Sequence, residues 1–89
     1  MTAVIAVEVN LAAALDLLDE LSGLMGELAC LTETDASTAA ELLRLRDDLS
    51  AHVRAAAVLD GAGLPQRVAL DMLQRGATVA LSGLAALAR

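Results

Sequence analysis

AALDLLDELSGLMGELACL, residues 13–31, is a run of leucines at helical spacing with two glycines, Gly23 and Gly26, in its middle. Val4, Leu11, Leu18 and Met25 fall seven apart, and Val7, Ala14, Leu21 and Leu28 take the intermediate positions. This is an a/d pattern held over four heptads, and it predicts one long helix over residues 3–31. Leu17, Leu24 and Leu31 widen the stripe on one side, so the helix carries more apolar surface than one partner helix covers. Ile5, Val7 and Val9 alternate and offer a competing β reading of the N-terminus. At about 100° per residue the glycines sit off the leucine stripe, on an arc with Ala12, Asp19 and Cys30. Each Gly costs about 1 kcal/mol relative to Ala in a helix interior. The pair is therefore either tolerated on a solvent face or placed where another backbone approaches closely.

Composition supports helices throughout. Hydrophobic residues make up 57% of the 89-residue chain, 20 residues are Ala and none is aromatic, so the core is packed from Leu, Val and Ala. One Pro and six Gly are too few turn residues for an all-β plan. A chain of this length makes one small domain, 1–89, and is marginal as a monomer because it buries a small share of its surface. TETDAS (32–37) and GAGLP (61–65) are the turn-like stretches. Thr38 and Glu41 have capping-box spacing, and Pro65 suits a first helical position. A second helix over 38–60 and a third over 65–88 follow. The fold class is all-α, a three-helix antiparallel bundle with a long first helix and two shorter ones, completed by oligomerisation.

The second helix reads as an ordinary amphipathic segment, with Leu42, Leu45, Leu49, Val53, Ala56 and Leu59 on its apolar face. Arg44 and Asp48 are spaced for an i,i+4 ion pair. The third helix is different. Leu70, Leu73, Ala77, Ala80, Leu84 and Leu87 make its main face, and a second stripe of Val68, Met72, Gly76, Val79, Gly83 and Ala86 occupies much of the rest. A helix apolar on most sides is buried on most sides. The expected interface therefore comprises Gly23, Gly26, Val68, Met72, Gly76, Val79, Gly83 and Ala86.

Chemistry-bearing residues are sparse. The net charge is −6, with eight acids and no base in residues 1–43 and six Arg against four acids in residues 44–89. No basic patch or stacking aromatic supports nucleic-acid binding. Cys30 is the sole cysteine, which excludes an intrachain disulfide, and Cys30, Glu33 and His52 are too thin a set for a metal site. The longest uncharged stretch, Gly76 to Ala88, is 13 residues, shorter than the roughly 18 to 20 of a membrane span. MTAVIAVEVN lacks a positive leader region, so a cytoplasmic location is expected. The absence of Lys beside abundant Ala, Arg, Gly and Leu, all with GC-rich codons, points to a high-GC bacterium or its phage.

His52, one helical turn after Asp48, is the one candidate for acid-base or phosphotransfer chemistry. LSAHVRAAAVLDGAG (49–63) faintly resembles the phosphoacceptor helix of histidine phosphotransfer domains, but Ala55 and Ala56 stand where that family has Lys and Gly. The small all-helical chorismate mutases match in length and helix count, yet they need cations on the long first helix, and here it has none. The expected function is a non-catalytic helical protein–protein interaction module, such as a homo-oligomeric adaptor, a co-chaperone or a phage or bacterial regulatory or assembly protein. The alternative is a small helical enzyme or phosphotransfer protein centred on His52. No cofactor, nucleic acid or membrane is expected; the partner is a protein, another copy or a helical partner.

Overall fold

Two short breaks divide the chain. In a computed structural model, which describes residues 11–88, they separate α1 (Leu11–Ala29), α2 (Ala36–Gly61) and α3 (Gln66–Leu87). The three helices pack as the antiparallel bundle that the apolar periodicity predicts, with α1 and α3 running in the same direction on either side of α2. Residues 3–10, with both the helical and the β reading of the N-terminus, lie outside the described residues. Among the described elements the middle helix is the longest, at 26 residues against 19 for α1.

The ends of the helices follow local chemistry. α1 stops two residues earlier than the leucine run suggests. The Cys30 and Leu31 amides turn back to the Glu27 and Leu28 carbonyls, and the Thr34 hydroxyl donates to the Leu28 carbonyl at 2.8 Å. α2 begins at Ala36 rather than 38 because Asp35 caps it, its Oδ1 accepting from the Thr38 amide at 2.7 Å. Thr38 is thus the capped residue and not the cap, and Glu41 is free to pair with Arg44 instead of closing a capping box. At the far end the Ala62 amide donates to the Val58 carbonyl, and Gly63 adopts φ +82°, a conformation suited to glycine. Pro65 is the N-cap of α3, one position outside the helix.

The core draws on all three helices. Leu11 and Met25 come from α1, Leu45, Leu49, Val53 and Ala56 from α2, and Ala69, Leu73 and Ala80 from α3. The apolar face read for the second helix is the one observed, with Leu42, Leu45, Leu49, Val53 and Ala56 buried and Leu59 packed against them. The third helix is rotated from its expected setting. Its buried residues are Ala69, Leu73, Gly76 and Ala80, so the core face lies roughly 40° toward the small-residue stripe. The cause is volume matching: α2 presents Leu45, Leu49, His52 and Val53, and bulky side chains on one helix need small ones opposite for close packing. Both α1 and α3 lie along α2 and touch each other sparingly. That arrangement leaves an open seam between them.

Candidate interaction surface

The seam between α1 and α3 is a groove. One end, with a volume near 450 Å³, is lined by Ala14, Leu17, Leu18, Leu70, Leu73 and Ala77, with Gln74 at its edge. The other, near 320 Å³, is lined by Leu17, Leu18, Leu21, Leu24, Ala77 and Leu81. Glu20 is the one charged side chain among the residues of the two linings. Beside the groove runs a ridge: Leu17, Leu21, Leu24, Leu28 and Leu31 follow one another at intervals of four and three, the spacing of a coiled-coil seam. Leu17 is 65% exposed, Leu24 52%, Leu28 47% and Leu31 50%, and Leu81 across the groove is 59% exposed. Among the described residues these side chains form a contiguous apolar surface that the chain leaves open to water.

Charges are distributed unevenly around it. Asp16, Asp19, Glu20 and Glu27 are the charged residues of α1, and none is in an ion pair among the described residues. The bases stand on α2 and α3, where Arg44 pairs with Glu41, Arg46 with Asp47 at 2.9 Å and Arg75 with Asp71 at 3.2 Å. The Arg44 bond holds the Glu41 carboxyl below its ordinary range. The expected Arg44–Asp48 pair is not formed, because Glu41 one turn earlier offers Arg44 a two-pronged partner. Arg67 and Arg54 have no ion-pair partner among the described residues.

The small residues expected at an interface are dispersed. A Cβ on Gly76 would lie 2.6 Å from the Cβ and 2.9 Å from the Cγ of His52, so Gly76 is buried against α2 within the chain. Gly83 is filled in the same way by Leu45, whose Cδ2 would stand 2.5 Å from an added Cβ. Val68 and Met72 are half-buried, and Val79 and Ala86 are exposed. A Cβ on Gly26 would lie 3.4 Å from the Arg46 side chain, and one on Gly23 would meet nothing within 4 Å. The space that Gly76 and Gly83 leave is thus taken by α2 side chains of the same molecule. Leu17, Leu24 and Leu31, which the sequence shows as a widening of the stripe, stay exposed together with Leu28 of the stripe itself.

His52 sits between these contacts. Its Nδ1 lies 2.8 Å from the Asp48 carbonyl oxygen and 3.6 Å from Asp48 Oδ2, and Asp48 is its one polar partner among the described residues. It borders an open depression of about 570 Å³ with Asp71, Gln74, Arg75, Thr78 and Val79, where Asp71 and Arg75 are bound to each other. The His52 Cβ and Cγ fill the space that Gly76 leaves, which accounts for both residues through packing. Cys30 is exposed just beyond α1, and no cluster of three potential metal ligands occurs among the described residues. No helix of the described residues is long and apolar enough to cross a membrane. The chain matches no protein-family profile, no curated protein and no solved structure.

Proposed function

We propose that this protein is a non-catalytic helical interaction module that docks an apolar helix face of a protein onto the α1–α3 groove. The observation that carries this reading is the leucine ladder Leu17, Leu24, Leu28 and Leu31, about half exposed or more, in near continuity with a groove whose lining is almost entirely apolar. Helix-in-groove recognition uses apolar anchors at intervals of three and four residues, and the ladder has that interval. Each leucine moved from water into such an interface contributes on the order of 1 kcal/mol or more. The adaptor, co-chaperone and assembly roles all share this mode of action.

The test is a Leu17→Ser, Leu24→Ser double variant compared with the wild type. The wild type associates, either with itself or with an amphipathic leucine/lysine peptide, and the variant does neither while its far-ultraviolet circular dichroism is unchanged. Equal behaviour of the two proteins in both assays would count against the reading.

A further inference from the structure

Resting on that reading, we propose that the occupant of the groove is a basic amphipathic helix of another protein, its apolar stripe on the α1–α3 groove and a row of Lys or Arg beside that stripe against Asp16, Glu20 and Glu27. The groove supplies the apolar contact, and the charges beside it select the sign of the partner. At about 100° per residue, Glu20, Glu27 and Asp16 fall on one strip of α1, next to Leu24 and Leu31 and on the side of the ridge away from the core. Glu20 lines the groove itself, among Leu17, Leu21 and Leu24. The strip follows the ridge from Asp16 to Glu27 for about three turns, roughly 16 Å.

These carboxylates are not engaged within the fold. Glu41, Asp47 and Asp71 are each bound to an Arg of their own helix and Asp48 lies against His52, whereas Asp16, Glu20 and Glu27 are exposed and have no ion-pair partner among the described residues. A neutral helix laid over the groove would strip water from Glu20 and return nothing for it. An acidic helix would meet like charge along the whole strip. A Lys or Arg beside the apolar stripe serves both needs, because its stem lies on the leucines while its head reaches a carboxylate. A second copy has no such row to offer: among the described residues Arg54 and Arg67 are the bases without an ion-pair partner, and they stand on different helices.

Fluorescence anisotropy of two labelled peptides with the full chain tests the proposal. One peptide has leucines at intervals of three and four and lysines along one flank; in the other every lysine is replaced by glutamine. The lysine peptide binds about tenfold more tightly at low salt, and the gap closes as salt rises to about 0.5 M. Glu20→Gln combined with Glu27→Gln lowers the affinity for the lysine peptide about fivefold or more and does not weaken the glutamine peptide. Glu33→Gln combined with Asp60→Asn, which removes the same charge outside the strip, changes either affinity by less than about twofold. Equal affinity of the two peptides overturns the basic partner and leaves the docking face standing, and equal losses from the two double variants overturn the strip as its contact. A chain that binds neither peptide and sediments at about twice 9.1 kDa gives the face to a second copy. One that binds neither and stays at single-chain mass ends both readings.

Discussion

Gly76 and Gly23 are chemically identical and lie on different helices in opposite surroundings. At Gly76 a methyl group meets the root of the His52 side chain, whose Cβ cannot swing away as a side-chain tip can. Gly76→Ala is expected to destabilise the fold by about 1 to 3 kcal/mol through overpacking. Gly83→Ala is expected to cost less, since the obstructing atoms are the terminal methyls of Leu45. Gly23 is exposed with open space around it, and Gly23→Ala is expected to stabilise by up to about 1 kcal/mol through helix propensity. Thermal melts of the three variants check the order. The sequence marks Gly23 and Gly26 as costly in a helix and sets Gly76 and Gly83 on a second apolar stripe, but one helix in isolation does not say which neighbour stands opposite which glycine.

The start of α2 is governed at the scale of a single element. Accepting the Thr38 amide holds the Asp35 carboxyl below its ordinary range. As the pH falls, the unfolded chain therefore takes up the proton first. The stability that ionised Asp35 contributes is complete at neutral pH and disappears as the pH drops through its lowered pKa. Asp35→Asn keeps a capping oxygen without the charge. The wild type's advantage over it in melting temperature should accordingly shrink as the pH falls below the ordinary carboxylate range. Asp35→Ala, without a capping oxygen, should melt below both at neutral pH. The sequence led to Thr38 as the capping residue because its spacing to Glu41 is right. Spacing does not reveal that Asp35 is nearer to the first free amides, nor that Arg44 claims Glu41.

For the whole molecule, the contrast lies between leucines inside the fold and leucines on its ridge. Leu49 is fully buried among all three helices, and Leu49→Ala is expected to cost about 2 to 5 kcal/mol. Leu17→Ser should change the stability of an isolated chain by no more than about 0.5 kcal/mol, because that side chain already stands largely in water. Where copies associate, its cost should grow with protein concentration. Denaturant titrations at two concentrations separate the two behaviours.

Helix number, approximate helix limits and the core face of α2 were legible in the chain because they depend on periodicity within one segment, which a one-dimensional pattern records. The rotation of α3, the filling of Gly76 by His52 and the exposure of the α1 leucines were not. Those depend on which surfaces face one another across the bundle, and α2 has only enough surface to cover part of each neighbour. The helix with bulky residues draws in the small ones, and leucines that fitted the pattern equally well are left outside.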